Sequence, residues 1–138
     1  MELTPNQSPP PPVLPDVILD RSVRYRTVRW RRDSTGWIMW RYGTGGNVEL
    51  TDIHTTERGK GHGRQLFYVM LDALRADPPY HSVFGFTRVS NEEARAFYAA
   101  LGFRLHEVPG VYADGRAVLF EAPYADLVRE MERCRAAQ

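Results

Sequence analysis

The six residues Arg58-Gly59-Lys60-Gly61-His62-Gly63 have the types and spacing that hold an anion. They stand between a run that reads as a strand, Asn47 to Thr55, and one that reads as a helix, Gly63 to Ala76. A strand that turns through glycines into a helix N-terminus aims backbone N–H groups and the positive end of the helix dipole at one point. A phosphate or pyrophosphate binds at such a point. Glycine lets the anion approach the backbone closely and adopts positive φ at little cost. Spacing separates the loops of this kind. A nucleotide P-loop ends Gly-Lys-Ser/Thr, whereas Lys60 is followed by Gly61 and no hydroxyl residue opens the helix. A dinucleotide fingerprint would require glycine at position 64, and that residue is Arg64.

The spacing actually present is Arg58-x-x-Gly61-x-Gly63. Alone, it fits a glycine-rich solvent loop equally well. A second segment, Asn91-Glu92-Glu93-Ala94-Arg95-Ala96-Phe97-Tyr98-Ala99-Ala100-Leu101-Gly102-Phe103, also reads as a helix. Ser90 and Glu93 have capping-box spacing, and Asn91 is itself a good N-cap. Ala94, Phe97, Tyr98 and Leu101 form an apolar stripe at helical spacing, and Gly102 suits the position that ends a helix. In this order, the two segments resemble the two signatures of the GNAT superfamily of acetyl-CoA-dependent N-acetyltransferases. The resemblance runs from Asn47 to Pro123. It implies an α/β (α+β) fold with a mixed, mostly antiparallel twisted sheet and helices on both faces.

The resemblance also implies the site. Acetyl transfer to an amine needs a held donor, a neutral amine, a stabilised oxyanion and a proton for the departing thiolate. Amides from Gly59 through Lys60, Gly61, His62 and Gly63 to Arg64 would hold the pyrophosphate of acetyl-CoA, with charge added by the side chains of Arg58, Lys60 and Arg64. Ile53, His54 and Thr55 would run beside the pantetheine arm, which bonds their backbone like an added strand, and Asn91 would stand near the same arm. Tyr98 corresponds to the tyrosine that gives its proton to the thiolate. A phenol is protonated at neutral pH, as that role requires; an aromatic on an apolar stripe otherwise reads as core. The base is sought among Glu49, Asp52 and His54 on the central strand, with Glu49 first. His62, His81 and His106 lack metal-ligand spacing. The lone cysteine, Cys134, lies far from the motifs, which fits direct transfer without an acyl-enzyme.

Around these motifs the chain reads as one domain, residues 16–138. Residues 1–15, with Pro5, Pro9 to Pro12 and Pro15, form an expected disordered tail. At 138 residues the chain can bury a substantial core. No apolar run is long enough to span a membrane and no signal-peptide pattern opens the chain, so the expected compartment is the cytoplasm. The formal net charge is only +1 and Lys60 is the sole lysine, so the arginines crowding the first third read as general-purpose cations, not as a nucleic-acid surface. Val23 to Trp30, Trp37 to Tyr42 and Asn47 to Thr55 read as an antiparallel meander. After the Gly63–Ala76 helix, Ser82 to Val89 reads as a parallel strand. Phe103–Tyr112 and Arg116–Ala122 form a hairpin around Asp114-Gly115, and Tyr124–Ala136 is a closing helix.

Family members place a strand and two helices before the meander, and here only Val13 to Ser22 is available. The acceptor side is therefore open, completed by a partner subunit in a homodimer, or covered by the C-terminal helix. The partner in chemistry is an amine of unspecified identity. A CoA-binding sensor without turnover, and an acetyltransferase acting on tRNA or protein, are the alternative readings.

Overall fold

The computed structural model describes residues 17–21, 25–30, 36–55, 59, 61–75, 81–113 and 115–137, with side chains from Gly36 onward. Arg58, Lys60 and the proline-rich segment 1–15 lie outside the described residues, and the expectations placed on them with it.

The strands are β1 (Val17–Arg21), β2 (Tyr25–Trp30), β3 (Gly36–Tyr42), β4 (Asn47–Thr55), β5 (Ser82–Arg88), β6 (Arg104–Tyr112) and β7 (Gly115–Pro123). The helices are α1 (His62–Arg75), α2 (Glu92–Leu101) and α3 (Tyr124–Ala136). One seven-stranded sheet has the order β1-β2-β3-β4-β5-β7-β6. Strands β1 to β4 form an antiparallel meander. Strand β5 pairs parallel with β4 across the α1 connection, as a helical crossover requires. Strand β7 then lies antiparallel between β5 and β6. The sheet is mixed and mostly antiparallel, as the expected α+β fold class requires. The helices are expected on both faces; the three described ones share the core of one face, because their apolar stripes meet the same buried strand residues. Strand β1 is an addition: the sequence reading assigns Val17–Arg21 no element, yet these residues register with Arg26–Trp30 of β2.

Alternation decides the core. Ile38, Trp40, Val48, Leu50, Val83, Phe120 and Ala122 are all buried, and the strand registers put them on one face of the sheet. Onto them come Leu66, Phe67, Met70, Leu71 and Leu74 of α1, Tyr98 and Leu101 of α2, and Leu127 and Met131 of α3, in one continuous cluster. Full burial of each such side chain is worth about 1.5–3 kcal/mol, so this face holds the domain together. Helix α2 begins and ends as its sequence dictates. Asn91 accepts a hydrogen bond from the Ala94 N–H at 3.0 Å, and Gly102 closes the helix at φ 105°.

Two residues off the Leu66, Phe67, Met70, Leu71 and Leu74 stripe of α1 are buried as well. Tyr68 and Asp72 are covered because α3 docks on that side. Arg135 reaches Asp72 Oδ2 at 2.8 Å, its guanidinium lies 5.4 Å from the Tyr68 ring centre, and the Tyr124 hydroxyl donates to the Leu71 carbonyl at 2.9 Å. Helix α3 thus packs against α1, β5 and β7. Among the described residues, no helix is long and apolar enough to cross a membrane.

Candidate active site

The parallel ladder between β4 and β5 registers only Asn47 with Ser82, Val48 with Val83 and Glu49 with Phe84. Past that point the strands part. Strand β4 continues to Thr55 in register with β3 alone, so the edge of residues 50–55 that faces β5 belongs to no ladder. At the apex of the fork stands Gly85. A Cβ there would collide with the Phe120 ring and sit 2.6 Å from the Leu50 carbonyl oxygen. Only glycine lets the two strands and the Phe120 ring meet this closely.

The fork opens into a cavity of about 610 Å³. Its walls include Ile53, His54 and Thr55 of β4, Gly59 and Gly61 of the loop, His62, Gly63 and Arg64 of α1, and Asn91 and Tyr98 beside or within α2. All the described members of the expected cofactor set therefore line one volume. Gly59 and Gly61 have φ of 76° and 77°, the left-handed region that disfavours side chains. The Gln65 N–H bonds the Gly61 carbonyl at 3.0 Å. The amides ahead of it point out of the helix end, as in the first turn of any α-helix. Asn91 commits its side-chain oxygen to the α2 cap, so its NH₂ group is the part that can serve a ligand.

The chain thus offers what an extended, phosphorylated ligand needs: a strand edge without a partner, positive-φ glycines, and a helix mouth along one cavity. Acetyl-CoA has that shape and charge, and these residues fit it. Among the described residues, no cluster of His, Cys, Asp or Glu could hold a metal ion.

A bulge in β4 selects the polar residues of the site. Trp40 registers with Leu50 but Met39 registers with Asp52, which leaves Thr51 as an extra residue. The Thr51 hydroxyl donates to the Met39 carbonyl at 3.1 Å and fastens the bulge. A one-residue slip exchanges the faces of a strand. Asp52 and His54 consequently share the face of their β3 neighbours Met39 and Trp37, and Ile53 takes the core face with Ile38. Asp52 and His54 both line the cavity. Asp52 Oδ2 accepts a hydrogen bond from Trp37 Nε1 at 2.6 Å, and His54 stacks on the Trp37 indole at 4.5 Å. Glu49, the first-ranked base candidate, is not in the cavity wall. Its Oε1 is held by Arg41 at 2.6 and 2.8 Å.

Tyr98 lines the cavity from α2. It is 7 % exposed, and its ring stacks on Phe120 at 3.7 Å with 12° between planes. Burial pushes its phenol above the ordinary value near 10, with the nearby Asp52 charge and Tyr112 adding to the effect. The hydroxyl therefore stays protonated at neutral pH. The sequence reading missed Phe86, Thr87 and Phe97 as wall residues. Phe97 is constrained by Gly63, where a Cβ would come within 3.1 Å of its ring.

Comparison with known proteins agrees with this geometry. The model of the acetyltransferase (GNAT) family matches residues 17–103. No curated protein matches the chain in sequence. Among solved structures, a GNAT-family acetyltransferase from Desulfovibrio desulfuricans superposes with a TM-score of 0.65 at 19 % identity, covering 73 % of this chain and 70 % of that one. Arabidopsis thaliana NAA60 in complex with acetyl-CoA gives 0.64 at 16 % identity, over 74 % and 77 % of the two chains. The ribosomal-protein-S18-alanine N-acetyltransferase of Escherichia coli gives 0.59 at 19 %, over 75 % and 72 %. At such identities these likenesses speak for the fold. The family match spans more than half of the chain, and with it this protein belongs to the acetyltransferase (GNAT) family, whose reaction is acetyl-CoA-dependent acetylation.

Proposed function

We propose that the protein transfers an acetyl group from acetyl-CoA directly to a primary amine, with both reactants bound together. One observation carries the reading: the open edge of β4, the glycine loop at the mouth of α1 and the Tyr98 ring all border a single cavity. When bound, acetyl-CoA supplies an acyl group activated on a thiol leaving group. The chain supplies position and protons. Loop amides from Gly59 to Arg64 hold the pyrophosphate, and the β4 edge at Ile53 to Thr55 aligns the pantetheine arm as an added strand would. Tyr98 Oη holds the proton that the departing sulfur takes.

The amine must shed a proton as its nitrogen bonds the acyl carbon, and we assign that proton to Asp52, directly or through water, with His54 beside it. Glu49, tied to Arg41 and away from the cavity, is less well placed for this step than Asp52. One N–C bond forms and one C–S bond breaks; one proton passes from the nitrogen to Asp52 and one from Tyr98 Oη to the sulfur, and exchange with water returns both groups to their starting states.

The acceptor is sought with a panel of amines. Solved structures of similar fold include a nourseothricin acetyltransferase and a ribosomal-protein-S18-alanine N-acetyltransferase, so the panel must contain both small amines and peptides. Thiol release from acetyl-CoA across such a panel tests the proposal. Release with at least one amine supports it. Tight acetyl-CoA binding with no release from any amine would favour the CoA-binding sensor.

A further inference from the structure

We propose that Trp37 is a positioning residue for the acceptor side, holding Asp52 and His54 in the attitude in which they meet the amine. The inference rests on the acetyl-transfer reading above. Trp37 is not in the cavity wall, yet it touches two residues that are. Its indole N–H donates to Asp52 Oδ2 at 2.6 Å, a short charge-assisted bond. Its ring stacks on the His54 imidazole at 4.5 Å and 29°.

Asp52 is otherwise exposed, and an exposed carboxylate turns freely among rotamers. Tying Oδ2 to a rigid indole fixes the plane of the group and leaves Oδ1 to receive an ammonium or its proton. Without that tie, part of the binding energy of the amine must go into ordering Asp52.

The arrangement depends on the Thr51 bulge. In an unbroken strand, Asp52 and His54 would lie on the opposite face from Trp37; the slip brings all three together, and the Thr51–Met39 bond holds the slip in place. Asp52 is also close enough to Tyr98 for its charge to act on the phenol. The residue that accepts a proton and the residue that gives one therefore share a reaction volume, and Trp37 steadies the first of them.

The test is the kinetics of Trp37→Phe, Asp52→Asn and the double variant with an amine accepted by the wild type. Trp37→Phe removes the N–H and keeps an aromatic ring against His54. We expect the KM for the amine to rise about tenfold, with the KM for acetyl-CoA and the melting temperature unchanged. In the Asp52→Asn background, the same substitution should cost less than about twofold, because the charge it steadies is already gone. Wild-type kinetics for Trp37→Phe would overturn the proposal, as would an equal tenfold loss in both backgrounds. A change in acetyl-CoA KM matching that of the amine would do the same, since it would mark a general structural role. Absence of thiol release by the wild-type protein with every amine would instead overturn the acetyl-transfer reading itself, and this inference with it.

Discussion

Tyr98→Phe separates catalysis from architecture more sharply than any other single change. The ring stack on Phe120, at 3.7 Å and 12°, and the edge contact to Phe103 at 5.8 Å need only the aromatic ring, which phenylalanine retains. No hydrogen bond to the Tyr98 hydroxyl is found among the described residues, so its removal breaks no internal bond. Loss of one hydroxyl under those conditions should change folding stability by less than about 1 kcal/mol. The catalytic cost is larger. A positioned general acid contributes about 10²–10⁴-fold. A thiol is a better leaving group than an alcohol or amine, so the lower end applies: about a hundredfold in kcat, or roughly 2.7 kcal/mol of barrier. The affinity for acetyl-CoA should stay within about twofold, because the pyrophosphate and the strand edge are untouched. Steady-state thiol release, calorimetric titration with CoA and a thermal melt measure the three quantities on one preparation. Equal kcat in variant and wild type would remove Tyr98 from the chemistry. A melting temperature lowered by about 10 °C would show that the hydroxyl serves the core.

Other consequences follow from the same geometry. Gly61→Val forces a β-branched residue to φ 77° at the helix mouth and should abolish CoA binding in calorimetry; unchanged affinity would refute the loop assignment. Gly85→Ala presses a methyl into the Phe120 ring and the Leu50 carbonyl, an overpacking cost of about 3 kcal/mol that should lower the melting temperature by about 10 °C. Arg135→Met leaves Asp72, 3 % exposed, without its ion-pair partner. Because Arg135 itself is 41 % exposed, the loss should be about 2 kcal/mol rather than the full value of a buried pair. Adding Asp72→Asn should recover part of that loss, and a double variant less stable than Arg135→Met would contradict the pairing. The phenol of Tyr98 is raised in the folded state, so its contribution to stability is complete below about pH 10, the unfolded value, and is lost as pH rises beyond it. Alkaline melts of Tyr98→Phe should therefore decline less steeply than those of the wild type.

What the sequence could and could not disclose follows from how local each feature is. The glycine loop, the Asn91 cap and the Gly102 stop depend on residues within a few positions of one another, and their types and spacing are enough to place them. Tyr68 and Asp72 are a different case. A helical stripe predicts burial against one neighbour, here the sheet, and α3 supplies a second neighbour on the side the stripe leaves polar. Their burial is a property of the assembled domain, visible only once Arg135 and Tyr124 have been brought across from the end of the chain. Strand β1 depends on pairing with β2 in the same way, and so it too was not legible from its own residues.

The proposed base lies between these extremes, and one signal for the face it takes was present. Val48 and Leu50 are two apart, and the next apolar residue of β4, Ile53, is three further on. Strict alternation from Val48 would point Asp52 and His54 into the core, where an unpaired carboxylate costs several kcal/mol. A strand avoids that cost by slipping one residue, and the polar pair flanking Ile53 is the mark of the slip. Glu49 comes before Thr51 and keeps the register of the first half of the strand, which carries it to Arg41. Asp52 and His54 come after Thr51 and are carried to Trp37 and the cavity. The bulge separates Asp52 from Glu49 in space, since of the two only Asp52 lines the cavity and meets the indole.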